Sequence, residues 1–181
     1  MDIPVYSQGQ GLWWRFVSAF EQKQRRKRDG SNDKRGSIPN QVSIEQRPAV
    51  VEQRARFGDW EWDTVYGKNN TAVMLTRVDR ASRFVYLDIL PNRTARVVGQ
   101  SLVSNLAPIK DRVLTLTSDK GSEFTDHEAV AGVLKSDFYF AHPCAPWERG
   151  TNENTNGLIR QSFPKTYDLA TIKTSQLARV M

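Results

Sequence analysis

The order of its regular segments constrains what this chain can fold into more than any other feature. Three short runs rich in β-branched and aromatic residues, 60–66, 72–78 and 84–90, are separated by the turn-forming sequences Gly-Lys-Asn-Asn and Arg-Ala-Ser-Arg. Apolar residues then recur at helical spacing over 94–106, with Thr94 before them and Pro108 after them. This half of the chain predicts an antiparallel meander of three strands followed by a helix.

Strands and helices alternate in the second half of the chain. Residues 113–117 and 138–141 are typical of short buried strands, while 126–134 and 149–162 are predicted helices, the latter ended by Pro164. A last helix is expected over 172–180. The predicted fold is therefore α/β: a five-stranded mixed sheet, three antiparallel strands then two parallel, flanked by helices.

Basic residues are concentrated ahead of these segments. The 181 residues carry 26 Lys and Arg against 20 Asp and Glu, and residues 1–57 alone hold 11 basic and 6 acidic ones. We expect a poorly structured basic arm over 1–36, a linker over 37–57, a core over 58–165 and a helical segment over 166–181. The excess of positive charge favours an anionic partner such as nucleic acid.

The cysteine count and the apolar stretches indicate in which cellular compartment the protein is found. Cys144 is the single cysteine, so an intramolecular disulfide is excluded, and the apolar stretch over 12–20 is too short to span a bilayer. We expect a soluble, cytoplasmic protein.

Three acidic residues stand where this fold would bring them together. Asp63 lies within the first strand, Asp119 directly follows the fourth strand, and Glu153 lies in the last long helix. In open α/β sheets, ligands bind beyond the carboxyl ends of strands where the winding direction switches. Three converging carboxylates repel one another, and hard divalent cations relieve that repulsion. The sequence therefore predicts two Mg²⁺ or Mn²⁺ ions, an arrangement that attacks phosphodiesters.

Several blocks of sequence, in order, resemble those of insertion-sequence transposases of the family numbered thirty, within the ribonuclease-H-like integrase group. They are RPAVVE (47–52), GDWEWDTV (58–65), DRASRF (79–84), YFAHP (139–143) and, most specific, PWERGTNENTNGL (146–158). Between Asp119 and Glu153 lie 33 residues, the spacing that this family uses between its second and third catalytic acids. The resemblance covers roughly residues 38–169.

This resemblance implies a fold, an activity and partners. The fold would be ribonuclease-H-like, and Asp63, Asp119 and Glu153 would be the metal-binding triad that cleaves DNA and transfers strands in transposition, integration and recombination. The partners would be transposon ends and target DNA, with self-association into a homo-oligomer in the bacterial nucleoid. The residues implied to contact nucleic acid are Lys120, Arg149, Asn152, Asn154, Asn156 and Arg160.

The sequence departs from the family beside the acids and at both ends. Trp62 stands where a glycine is usual and Lys120 where an asparagine is usual, so an altered metal site is expected. Family members also have a helix-turn-helix region ahead of this core and further helices behind it. Neither is evident here, and we therefore expect a truncated copy of the element.

Other functions stay open on the residues alone. An inactive remnant could bind nucleic acid through the basic arm, and a ribonuclease-H-like nuclease could use the same ions for hydrolysis only. A third alternative is a hydrolase that pairs Cys144 with His142 or His127, although a third orienting group is missing.

Two further expectations concern large side chains. Trp60 and Trp147 are predicted to pack in the core, because large aromatic residues are more often core anchors than platforms for bases. Arg80 and Arg83 are expected at the surface of the turn between the second and third strands.

Overall fold

The computed structural model describes residues 38–68 and 72–180 of the chain, so the predicted basic arm over 1–36 lies outside the described residues. The elements in chain order are β1 (Asp59–Tyr66), β2 (Val73–Asp79), β3 (Val85–Leu90), α1 (Ala95–Leu106), β4 (Thr115–Ser118), α2 (His127–Leu134), β5 (Asp137–Phe140), α3 (Gly150–Ser162) and α4 (Thr174–Leu177).

The strands form one mixed sheet in the order β3-β2-β1-β4-β5. The pairs β1–β2 and β2–β3 are antiparallel, whereas β1–β4 and β4–β5 are parallel. The predicted fold class is confirmed. Two boundaries differ from the prediction: a 3₁₀ helix over Ala107–Arg112 delays the start of β4, and the last helix is a single turn.

The two faces of the sheet bury different apolar clusters. Trp60 and Trp62 of β1 point to the face covered by α1 and α2, where Leu102 and Leu134 join them. Val65 points to the opposite face because side chains alternate along a strand. The residues buried with Val65 there are Met74, Leu87, Ile159, Phe163, Leu169 and Leu177. Helix α3 therefore covers this second face.

Residues 38–57, predicted to be a linker, pack on the sheet instead. Ile38 is buried in the first cluster, and the carbonyl of Val42 accepts a hydrogen bond from the backbone N–H of Phe140 at 2.9 Å. Val51 is also buried. This segment extends the edge of the sheet beside β5, so it belongs to the core.

Across the described part of the chain, none of the helices combines the length and the hydropathy needed to cross a bilayer.

Candidate active site

Two neighbouring strands place the first two acids. Strands β1 and β4 run parallel, and Glu61 pairs with Thr117. Continuing this register by two residues brings Asp63 level with Asp119. Neighbouring strands lie about 4.8 Å apart, and residues level with each other on parallel strands project from the same face. The sheet therefore brings together two acids that are far apart along the chain.

Two neighbours donate hydrogen bonds to the carboxylate of Asp63. Its Oδ1 accepts the backbone N–H of Thr64 at 2.8 Å, and its Oδ2 accepts Nδ2 of Asn156 at 3.0 Å. Burial raises the pKa of Asp63 to about 6; Asp119 adds to this effect, and the guanidinium of Arg149 opposes it. Asp63 is thus a partly enclosed carboxylate whose charge is costly unless a cation is nearby.

Arg149 supplies positive charge to both acids. Its Nη1 lies 3.5 Å from Oδ2 of Asp63, and its Nη2 lies 3.4 Å from Oδ2 of Asp119. The same Nη1 donates to the carbonyl of Trp62 at 3.0 Å, which ties the guanidinium to β1. Asp63 and Asp119 therefore share one cation, located at the N-terminal end of α3.

Glu153 stands apart from this pair. It is exposed on α3, and the part of the chain that the structure describes has no group of three His, Cys, Asp or Glu side chains arranged to hold a metal ion. Asn156 follows it by three residues on the same helix and contacts Asp63. Residues three apart are neighbours on the surface of a helix, so Glu153 lies next to Asn156 on α3.

The chemistry of the donors fits a hard divalent cation. Asp63 and Asp119 offer carboxylate oxygens from adjacent strands, and these are the ligands that Mg²⁺ and Mn²⁺ prefer. The Oδ1 atom of Asn156 is buried and has no hydrogen-bond partner among the described residues. A buried oxygen acceptor that has no hydrogen-bond donor and lies beside two acids is suited to bind a cation or a water ligand of that cation.

A fourth carboxylate, Glu123, lies beside the site and was missed in the sequence. It is buried, and its Oε1 accepts the hydroxyl of Thr64 at 2.9 Å. Its Oε2 has no hydrogen-bond partner among residues 38–68 and 72–180. A Cβ at Gly121 would lie 2.5 Å from this oxygen, so the glycine makes room for it. Its position four residues after Asp119 was the available signal.

Asn152 has an internal role, which corrects its predicted contact with DNA. The residue is fully buried; its Nδ2 donates to the carbonyl of Glu61 at 3.0 Å, and its Oδ1 accepts the hydroxyl of Thr76 at 3.0 Å. Its backbone N–H donates to Oε2 of Glu61 at 2.8 Å. Asn152 therefore fastens the start of α3 to β1 and β2.

A buried ion network supports this attachment, and it corrects the expectation that Arg80 lies at the surface. The guanidinium of Arg80 is buried and pairs with Glu61 and, at 3.0 Å, with Glu52. Arg47 pairs with the same Glu52 and donates to the hydroxyl of Thr117 at 2.9 Å. The network connects β1, the end of β2, β4 and the segment ahead of the sheet.

The other residues predicted to contact DNA remain accessible. Asn154 is exposed, and Lys120, Asn156 and Arg160 are half-buried around the acids or on α3. Arg83 is an exposed turn residue with φ 61°, as predicted.

The tryptophans divide between core and surface. Trp60 is buried as predicted, whereas Trp147 is 72% exposed, so the prediction that it packs in the core is wrong. Trp62 is fully buried against Phe138 on the face opposite Asp63. Its indole therefore lies away from the acids, and the expectation that it alters the metal site does not hold.

The hydrolase alternative is not supported by the geometry. The ring of His142 faces Glu148 at 2.8 Å and Glu45 at 3.4 Å, and the side chain of His127 is buried against Phe138. Cys144 is exposed. Neither imidazole is hydrogen-bonded to the thiol, because Nδ1 of His142 contacts Glu148 and both ring nitrogens of His127 lack a partner among the described residues.

Residues 53–146, just over half of the chain, match the integrase core domain family. The chain belongs to this family. The matched span contains Asp63 and Asp119 and ends ahead of Glu153.

The relatives are insertion-sequence transposases. The chain is 44% identical over 151 residues to the transposase for insertion sequence element IS4351 of Bacteroides fragilis, covering 83% of this chain and 46% of that protein. It is 37% identical over 180 residues to the transposase for IS1086 of Cupriavidus metallidurans, covering 96% and 52%. It is 38% identical over 135 residues to transposase InsI for IS30A of Escherichia coli, covering 74% and 35%.

These relatives confirm the resemblance to the insertion-sequence family numbered thirty. The chain spans about half the length, or less, of the curated relatives that it matches.

The fold is also that of an integrase catalytic core. The crystal structure of the catalytic core domain of BIV integrase superposes with a TM-score of 0.50 at 21% identity, covering 68% of this chain and 80% of that one. The predicted ribonuclease-H-like fold is confirmed.

Proposed function

We propose that this chain acts as the catalytic core of a transposase that cleaves DNA and transfers DNA strands. The observation that carries the proposal is that Asp63, on β1, and Asp119, directly after the neighbouring parallel strand β4, share the guanidinium of Arg149. The similarity to transposases and the integrase core fold support it.

Asp63, Asp119 and Glu153 are the proposed ligands of two Mg²⁺ or Mn²⁺ ions. When bound, such ions activate the attacking hydroxyl and stabilise the leaving oxygen of a phosphodiester. The other groups of the site position these metal ligands. Asn156 and the N–H of Thr64 fix the carboxylate of Asp63, while Asn152 fixes the helix that carries Glu153.

DNA is the proposed substrate, as transposon ends and as target. Lys120, Arg149, Asn154, Asn156 and Arg160 are the side chains proposed to contact it, because all five are at least partly exposed around the acids. Cationic side chains bind phosphates by charge-assisted hydrogen bonds. Self-association into a homo-oligomer and action in the bacterial nucleoid complete the proposal.

A cleavage and joining assay tests this function. The purified chain is incubated with Mn²⁺, a supercoiled plasmid and labelled oligonucleotide duplexes, and nicked and joined products are separated on gels. Asp63→Asn, Asp119→Asn and Glu153→Gln should each lower the rate at least about 100-fold. Asp111→Asn is the matched control, because Asp111 is exposed and precedes the N-terminal end of β4, whereas Asp119 follows the C-terminal end of that strand.

Three outcomes would contradict the proposal. Nicking that survives Asp119→Asn excludes this site as its source. Nicked products without joined products assign a nuclease. DNA binding without any cleavage by the wild-type chain assigns an inactive remnant.

A further inference from the structure

A groove of about 750 Å³ opens beside Asp63, between the end of β1, the start of α1 and helix α3. Its charged lining residues are Asp63, Arg93, Arg160 and Lys165. Three cations against one carboxylate make the groove positive, and the single carboxylate lies in the candidate active site. The groove therefore leads from a basic surface to Asp63.

Arg93 is held in position at one wall of the groove. The Oδ1 atom of Asn92 accepts the backbone N–H and the hydroxyl of Thr94 at 3.1 and 2.8 Å, which shapes the turn into α1. Arg93 Nη1 donates to the phenol oxygen of Tyr66 at 2.7 Å. A guanidinium has five N–H donors, so this contact fixes its direction and leaves donors for a ligand.

The backbone after α3 places Lys165. The N–H of Lys68 donates to the carbonyl of Tyr167 at 2.8 Å, which joins this segment to the end of β1. A Cβ at Gly67 would lie 2.5 Å from Cγ of Leu169, so only glycine permits this approach. Lys165, two residues ahead of Tyr167, is thereby kept at the rim of the groove.

Arg160 adds an unsatisfied donor to the lining of the groove. Its Nη1 is buried and has no hydrogen-bond partner within residues 38–68 and 72–180. A buried charged donor without an acceptor costs stability, and an anionic oxygen in the groove would satisfy it. In that part of the chain, Arg93, Arg160 and Lys165 also form no salt bridge with a carboxylate.

We propose that this groove binds the phosphodiester backbone of one DNA strand and leads it to Asp63, with Arg93 and Lys165 contacting phosphates away from the reacting bond. The identity of the strand as substrate rests on the proposed function. Arginine matches phosphate with a planar fork of donors, and lysine binds it as a point charge. Cationic side chains spaced along a groove that ends at Asp63 are suited to bind the regularly spaced phosphates of a DNA strand.

Fluorescence anisotropy tests the groove directly. A 5′-fluorescein single-stranded oligonucleotide is titrated with the 181-residue chain without divalent ions, so that no strand is cut. The double variant Arg93→Gln/Lys165→Ala should raise Kd about tenfold and lower the slope of log K against log salt by about 1.4, since each single-strand phosphate contact contributes about 0.7. Lys110→Ala is the matched control, because Lys110 is exposed and lies outside the groove.

The melting temperature and the affinity for Mn²⁺ of the double variant should equal those of the wild type. Unchanged DNA binding by this variant overturns the inference, and so does an equal loss in Lys110→Ala. A poly-glutamate peptide that binds as tightly as the oligonucleotide overturns it as well. If Asp119→Asn keeps nicking DNA while the groove variant loses binding, the proposed function fails and the groove stands.

Discussion

Nη1 of Arg149 lies 3.5 Å from Oδ2 of Asp63. Through its second terminal nitrogen the same guanidinium reaches Asp119 at 3.4 Å. One organic cation therefore pairs with both carboxylates that are proposed to hold metal ions. Because both carboxylates are paired with Arg149, a metal ion has to compete with this guanidinium for them.

Arg149→Gln is expected to bind Mn²⁺ about three- to tenfold more tightly than the wild type when DNA is absent. The reason is that two partly exposed ion pairs, each contributing about 0.2–1 kcal/mol, no longer have to be broken. Isothermal titration calorimetry measures the affinity. Arg160→Gln is the matched control, and weaker Mn²⁺ binding by Arg149→Gln would show that the guanidinium assists the metal.

Asp63→Asn is expected to change how stability depends on pH in the metal-free protein. Because burial raises the folded pKa of Asp63 to about 6, above the ordinary 3.8, the folded state retains a proton that the unfolded state has lost. This contribution to stability is full below the unfolded pKa and is lost as the pH rises through about 6.

Between pH 4.5 and 7.5 the stability of the wild type should fall by about 2 kcal/mol relative to Asp63→Asn. Urea unfolding in EDTA at several pH values measures this difference. Asp111→Asn, at an exposed carboxylate, should follow the wild type at every pH. A constant gap between Asp63→Asn and the wild type would contradict the raised pKa.

Arg80→Met is expected to destabilise the fold by about 3–5 kcal/mol, because it leaves the fully buried Glu61 without its ion partner. Chemical denaturation measures the free energy of unfolding. The matched control Arg83→Ala removes an exposed guanidinium from the same turn and should cost less than about 0.5 kcal/mol. Equal effects of the two substitutions would show that the network adds nothing to stability.

Asn152→Ala and Asn154→Ala should separate an internal role from a surface role. Asn152 is buried and hydrogen-bonded to Glu61 and Thr76, so its loss should cost about 1–3 kcal/mol of stability. Asn154 is exposed, so its loss should leave stability within about 0.5 kcal/mol. Thermal melts measure the stability of each variant, and fluorescence anisotropy measures its affinity for DNA. If Asn152→Ala were as stable as the wild type but bound DNA more weakly, the original prediction that Asn152 contacts DNA would be correct.

Gly58→Ala is expected to unfold a large fraction of the protein. Gly58 has φ +101°, and a Cβ there would lie 2.1 Å from the carbonyl oxygen of Arg112, so the joint between β1 and β4 would have to open. The control is Gly132→Ala in α2, where a Cβ meets nothing within 4 Å; it should stabilise the helix by about 0.5–1 kcal/mol. Circular dichroism melts of both variants provide the measurement, and a native melt for Gly58→Ala would refute the clash.

The sheet was predictable from the sequence because each of its signals is local. Alternating apolar residues, turn sequences and helical spacing mark all five strands and helices α1 to α3 within a few residues. The location of Asp63 and Asp119 followed from a general rule about strand ends. Predicting the fold therefore required no knowledge of which side chains contact one another.

The partners themselves could not be predicted. Arg80 follows a strand within a turn, a position usual for surface residues, and its burial depends on Glu52 and Glu61, which are distant in sequence. Asn152 and Asn154 stand in one polar motif, and only the seating of α3 decides which of them faces inward. Long-range pairing of this kind leaves no trace in composition or periodicity.

The parallel register of β1 and β4 has a consequence for how such a chain can change in length. The gap between Asp63 and Asp119 is fixed by the spacing of two strands, so residues inserted into the turn between β2 and β3 would not widen it. The position of Glu153 depends instead on the seating of α3, which Asn152 fastens to β1 and β2. The first two acids are therefore positioned by backbone pairing, and the third by side-chain contacts that a single substitution can remove.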